Sequence, residues 1–265
     1  MVVQRALRDL PVLHLLALRF WLGALLLAPL LRHRPRPPLR DALLVGGALF
    51  VGFVLQTYGL RWTTPSRSAF LTGLAVVFVP ALAWAFQGRA PRRGPLVAAG
   101  LAAAGLWILY RPGAGGLAFG AGDWLTLGCA LAFAAHLLLV ESALRRSGAP
   151  ALALAQVVVV ALLASPALLL QPVARATLTP PALAAILITG VFATALAFLA
   201  LLYAQRRLGA AETAVVLALE PVFAAAVSVA LGAETVSPPL VAGGTLLVVA
   251  LVVAQLGAEG HGTDP

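Results

Sequence analysis

The chain has 265 residues, of which 62% are hydrophobic and only 10% charged. That balance excludes a soluble globular domain, where about a quarter of the residues carry charge. The net charge of +9 comes from 18 Arg and no Lys, scattered through connecting segments without forming a basic stripe, so nucleic acid is not an expected partner.

Apolar runs of about 17–25 residues recur along the chain, each long enough to cross a bilayer core of roughly 30 Å. They are continuous rather than alternating, which predicts helices and not a β-barrel. In chain order the predicted spans are 11–31, 42–60, 68–86, 95–110, 122–140, 150–170, 181–202, 211–231 and 239–255. Arg5 and Arg8 ahead of the first run imitate a signal peptide. That run contains Arg19 and ends in a Pro/Arg-rich loop without a small-residue cleavage site, so it reads as a spanning helix. Several spans begin at or near Pro, where the missing N–H costs a helix nothing. The connections are short, so consecutive helices run antiparallel. The tail after Gln255 is polar and is expected to be disordered. The single cysteine, Cys129, excludes an internal disulfide and any Cys-based metal site, and reads as a small apolar helix residue.

Alternate connections hold 11 Arg on one side (32, 34, 36, 40, 89, 92, 93, 145, 146, 206, 207) and 6 on the other (5, 8, 61, 67, 111, 175). The positive-inside bias makes the first side cytoplasmic, with the C-terminus in the cytoplasm. The expected location is the cell's inner (plasma) membrane, with the lipid bilayer as surroundings.

One design occurs twice. At an offset of 144, residues 88–100 and 232–244 share six of thirteen positions: Gly88/Gly232, Pro95/Pro239, Leu96/Leu240, Val97/Val241, Ala98/Ala242 and Gly100/Gly244. At an offset of 137, Ala6-Leu7-Arg8 matches Ala143-Leu144-Arg145, Ala24-Leu25-Leu26 matches Ala161-Leu162-Leu163, and Pro29 matches Pro166. The first span is therefore the partner of the sixth. The partner of the fifth falls before Met1. The expected fold is an all-α integral membrane protein built from two repeats of five helices, with the first helix of repeat one absent. The division is 1–115 (four helices), 116–256 (five helices) and 257–265 (polar tail). An odd number of helices per repeat inverts the second copy in the membrane. A start site placed too late and a genuine nine-helix variant are both open. An apolar stretch of about 20 residues upstream in frame decides between them.

At this point the residues resemble a family. Gly122-Asp123-Trp124 opening a helix that ends in Leu144-Arg145-Arg146, Leu18-Arg19-Phe20, and Glu220-Pro221-Val222-Phe223 followed by Gly232-Ala233-Glu234 are similar to the EamA branch of the drug/metabolite transporter superfamily. The resemblance covers nearly the whole chain. It departs at Val76-Val77, where the first repeat has no Glu-Pro, and in the missing helix. It implies two inverted five-helix repeats and secondary movement of small metabolites or drugs, often export.

Polar residues inside the spans are the candidates for the substrate pathway or for gating. Glu220-Pro221 sits within the eighth span. Glu220 either binds an amine-bearing substrate or exchanges a proton, or it serves the kink at Pro221, which removes the donor for the Leu217 carbonyl. Arg19 binds a substrate carboxylate or phosphate, pairs with Glu220, or snorkels to an interface. Its repeat equivalent is Gln156, also polar. His136 has a range suited to proton coupling, or is a satisfied hydrogen-bonding residue. Gln56, Thr72 and Tyr203 are weaker candidates; Tyr203 also fits an interfacial anchor, as do Trp62, Trp84, Trp107 and Trp124. Gly46-Gly47, Gly100, Gly105 and Gly243-Gly244 permit close helix approach. No ligand spacing for a metal is present, and no cofactor is expected.

The function these readings favour is a secondary transporter working by alternating access as the two repeats rock, with a small-molecule substrate. The alternative is an integral membrane enzyme acting on a lipid-linked substrate, which would show clustered ionisable groups. Monomer and homodimer both remain open.

Overall fold

The computed structural model describes residues 3, 6–7, 9–31, 35–88, 93–110, 119–170, 178–230 and 235–259. Among these there are nine helices and no strand. α1 is Val12–Leu27, continued by a 3-10 turn over Ala28–Leu31. α2 is Leu39–Gly59, and α3 runs as Pro65–Gly73 and Ala75–Gln87. α4 is Arg93–Tyr110 and α5 is Ala121–Leu144. α6 runs as Ala149–Ala164 and Pro166–Leu170. α7 is Pro180–Gly190, a π turn over Val191–Leu196, then Ala197–Gln205. α8 runs as Ala210–Leu217 and Glu220–Ala230, and α9 is Pro238–Glu259.

Local chemistry accounts for the ends. Thr64 and Thr179 cap their helices by accepting the Arg67 and Ala182 N–H groups. Gly88 closes α3 in the left-handed conformation at φ 64°, which a side chain rarely adopts. Among the described residues, five helices (α2, most of α3, α5, α6, α7) are long and apolar enough to cross a membrane, and α1, α4 and α9 contain shorter apolar stretches. The chain is a multi-pass membrane protein.

Three details differ from the sequence reading. Glu220-Pro221 is not mid-helix. The helix ends at Leu217 and restarts at Glu220, so the missing Pro221 N–H falls in a first turn. There the backbone tightens to shorter bonds, Leu219 N–H to Val216 O (3.1 Å) and Val222 N–H to Leu219 O (2.9 Å). α3 breaks the same way at Leu74 without a Glu-Pro. Finally, α9 continues through Glu259 instead of ending at Gln255, because residues 256–259 hold no breaker other than Gly257. Residues 260–265 of the tail, and Gly232-Ala233-Glu234, lie outside the described residues.

Among the described residues two large buried cores organise the bundle, with a small third one around Leu10, Leu15 and Ile186. One gathers α1, α2, α6 and α7 around Phe20, Leu49, Leu152, Val160 and Phe198. The other gathers α3, α4, α8 and α9 around Leu71, Ala102, Leu106, Val215 and Leu247. α5 belongs to both, with Val140 and Ala143 in the first and Ala134 and Leu137 in the second. Each large core therefore draws two helices from the first half of the sequence and two from the second. Neither stretch of sequence builds a core alone.

α5 is fastened at both ends, at one to the start of α2 and at the other to the α2–α3 connection and the first turn of α3. At the Arg-rich end Arg146 grips Asp41 with two bonds, Nε to Oδ2 at 3.0 Å and Nη2 to Oδ1 at 2.8 Å. That bond raises the Arg146 pKa above its ordinary value. At the opposite end Asp123 Oδ1 accepts from Thr63 Oγ1 (2.7 Å) and Arg67 Nε (2.9 Å), and its Oδ2 accepts the Gly120 N–H (2.9 Å).

Candidate functional site

The interior of the first core is not wholly apolar. Arg19 is the eighth residue of α1 and only 6% exposed. Its Nε donates to Thr194 Oγ1 at 3.2 Å. The guanidinium carbon lies 5.0 Å from the Phe20 ring centroid and 4.7 Å from that of Phe53. Two aromatic faces thus hold a cation that would otherwise be costly in an apolar interior. The π turn of α7 presents Thr194 to it. There the Thr194 hydroxyl donates to Thr189 O at 2.9 Å, five residues back. π turns are frequent at functional sites because the extra residue re-aims a side chain.

His136 and Gln156 form the second polar group. His136 Nε2 and Gln156 Oε1 are 2.7 Å apart, joining α5 to α6, and both side chains are buried. Gln156 Nε2 has no hydrogen-bond partner. Phe198 ties the two groups into one cluster, with centroid distances of 6.3 Å to Phe20, 6.1 Å to Phe53 and 6.4 Å to His136. Phe133 extends it, 5.4 Å from Phe53. Nearby, Gln205 Nε2 donates to Leu137 O at 2.6 Å, tying α7 to α5.

Of the residues singled out from the sequence, Arg19, His136 and Gln156 come together. The others do not join them. Glu220 is exposed at the restart of α8, and no pair forms between it and Arg19, whose partners are Thr194 and two rings. Tyr203 is 47% exposed and Gln56 partly buried, and neither bonds to Arg19. Thr72 sits beside the buried Cys129 thiol between α3 and α5. Pro221 lies in the first turn after the α8 break. Trp62, Trp84, Trp107 and Trp124 are all exposed near helix ends. Thr194, Phe53, Phe133 and Phe198 were not singled out from the sequence, and Phe20 only as part of Leu18-Arg19-Phe20. A lone Thr in an apolar helix usually bonds its own backbone, and the π turn that redirects Thr194 leaves no compositional mark. Asp41 and Asp123 were missed as fasteners for the same reason any helix-start carboxylate is: it is ordinary there.

A polar cluster inside a bundle drawn from both halves of the chain is where transporters place their substrate. The model of the EamA-like transporter family matches residues 1–111 and 120–255. The chain belongs to this family. Among its relatives, an uncharacterized transporter of Archaeoglobus fulgidus is 29% identical over 255 residues, covering 96% of this chain and 80% of that one. A protein crystal structure superposes with a TM-score of 0.80 at 20% identity, covering 98% of this chain and 93% of the other, and shares the fold. The EamA-like family membership and the transporter relative make this chain a membrane transporter.

Proposed function

We propose that this EamA-like transporter moves small metabolites or drugs across the inner membrane by alternating access within a fold of two inverted repeats, working as an exporter with its C-terminus in the cytoplasm. The observation that carries this is a matched pair of helix crossings around the polar cluster. A Cβ at Gly46 of α2 would lie 3.1 Å from the Gln156 carbonyl and within 2.6 Å of the Val159 side chain on α6. A Cβ at Gly190 of α7 would lie 3.1 Å from the Arg19 carbonyl and 2.7 Å from the Leu22 side chain on α1. Arg19 to Gln156 and Leu22 to Val159 are both steps of 137, and Gly46 to Gly190 is a step of 144. The two crossings are images of each other. The α3 break at Leu74 and the α8 cap at Ala218 are also 144 apart, with φ −63°, ψ −8° and φ −65°, ψ −10°.

Within this reading the moving parts are the two cores, α1–α2–α6–α7 against α3–α4–α8–α9, each containing helices of both halves. The breaks in α3 and α8 are the points that bend. Export rests on the family resemblance. The test is reconstitution. Protein in liposomes loaded with a small-molecule cell extract is expected to release a subset of solutes that protein-free liposomes retain. Release of none removes the transport reading.

Glu220 is the carboxylate nearest the α8 bend, and proton coupling would run through it. Glu220→Gln is expected to flatten the dependence of flux on pH across the range where the wild type varies. A profile that keeps its shape and midpoint removes the proton role.

A further inference from the structure

We infer that the transported solute is an anion, with Arg19 receiving its carboxylate or phosphate; this rests on the transporter reading and adds the charge of the substrate. A guanidinium carries five N–H donors. In Arg19 the Nε donor is taken by Thr194, while among the described residues neither terminal nitrogen has a hydrogen-bond partner and no carboxylate pairs with the charge. The side chain is only 6% exposed, yet its terminal nitrogens are not among the sealed atoms left without a partner, so the open edge keeps a narrow access. The Phe20 and Phe53 faces attract the cation but accept no in-plane N–H bonds. The edge that holds the two terminal nitrogens is the edge that binds carboxylate or phosphate through parallel bonds.

A second observation points the same way. Gln156 is fully buried, its Oε1 is engaged with His136, and its amide nitrogen has no partner. At the two positions paired by the offset of 137 the open groups are donors, an Arg edge and a Gln amide, while the one acceptor left open nearby is the neutral Gln205 Oε1. Donors without acceptors are the complement of an anion, and a cationic solute would be repelled by Arg19. Thr194 is a positioning residue. Its hydroxyl, held by Thr189 O, anchors Nε and fixes the plane in which the free edge lies.

The experiment splits a small-molecule cell extract on an anion exchanger into a retained, anionic fraction and an unretained fraction of neutral and cationic solutes. Each is loaded into proteoliposomes, and release is followed by mass spectrometry. Wild type is expected to release solutes of the anionic fraction only, and the identities of those solutes separate carboxylates from phosphates. Arg19→Gln is expected to reduce that release by tenfold or more, and Arg19→Lys to restore part of it, about a tenfold loss being the scale of one charge-assisted bond. The anionic fraction should also raise the melting temperature of the wild type in detergent and not that of Arg19→Gln. If Arg19→Gln does not fold, Thr194→Val, which keeps the charge and loosens the plane, is expected to lower release of anions about threefold to tenfold with the preference for anions kept. Release from the unretained fraction, equal in wild type and Arg19→Gln, overturns the inference and leaves transport standing. Unchanged anion release in Thr194→Val, where Arg19→Gln does not fold, also overturns it. Release from neither fraction, with no thermal shift, removes both readings. A thermal shift specific to the anionic fraction without release keeps the anion site and removes transport.

Discussion

Asp123→Ala is expected to lower the stability of the folded bundle by about 3 kcal/mol, the scale for removing one partner of a buried, hydrogen-bonded charge. The carboxylate is 5% exposed and accepts three bonds: from Thr63 in the α2–α3 connection, from Arg67 in the first turn of α3, and from Gly120 at the start of its own helix. Arg67 is 26% exposed at its side chain, so part of its loss is recovered from water, which keeps the figure at the lower end of the range for buried pairs. Asp123→Asn keeps an acceptor for Thr63 but surrenders the charge toward Arg67, and should lose about half as much. The contrast is Arg145→Ala. Its pair with Glu141 is 3.8 Å long with Arg145 more than half exposed, and removal should change stability by no more than about 0.5 kcal/mol. Thermal unfolding in one detergent, with all three variants side by side, reads the difference. If Asp123→Ala falls no further than Arg145→Ala, the fastening of α5 to the α2–α3 connection and the start of α3 is solvated and contributes nothing.

The fold was legible because a membrane chain writes its elements in long apolar runs. Each of the nine runs contains one helix, with most ends displaced by only a few residues. Prolines at helix starts and short connections did the rest. What was not legible lies inside the helices. Leu74 breaks α3 with no proline beside it, and Val191–Leu196 winds into a π turn within an unbroken apolar stretch. Such irregularities are set by how neighbouring helices pack, and an apolar run carries no trace of them. Glu220-Pro221 misled in the opposite direction. A costly pair in mid-helix becomes an ordinary helix start once the helix is divided.

The site was half legible for a related reason. Arg19, His136 and Gln156 stood out because an ionisable or amide group inside a span is expensive wherever it points. The offset of 137 also pairs Arg19 with Gln156 in the sequence. Pairing was beyond reach. The sequence allowed Arg19 to meet Glu220, whereas the fold places a hydroxyl and two rings beside it. The four phenylalanines that join the polar groups look like any other apolar residue in a chain where 62% are hydrophobic.

The glycine pairs pose the same problem of facing, and they yield the other large expected effect. Gly243 and Gly244 are neighbours in α9, yet a Cβ on the first would lie 2.8 Å from Gly105 O and 2.9 Å from Leu109 N of α4, while on the second it meets only Val222 side-chain atoms at 3.8 Å and beyond. The blocking atoms at Gly243 are backbone, so no rotamer change relieves them and the two helices must separate. Separation also removes the reciprocal fit, in which a Cβ at Gly105 would lie 3.0 Å from Gly243 O. Gly243→Ala is therefore expected to destabilise by about 2 kcal/mol, the overpacking cost outweighing a helix-propensity gain of at most about 1 kcal/mol. Gly243→Leu should prevent α4 from docking on α9. Gly244→Ala, with the same propensity gain and ordinary contact distances, should be neutral or slightly stabilising, and so should Gly100→Ala, where a Cβ meets nothing within 4 Å. Equal melting temperatures for Gly243→Ala and Gly244→Ala would mean that α4 and α9 do not approach this closely. The second core, which depends on that approach to close around Leu106 and Leu247, would then be looser than the first.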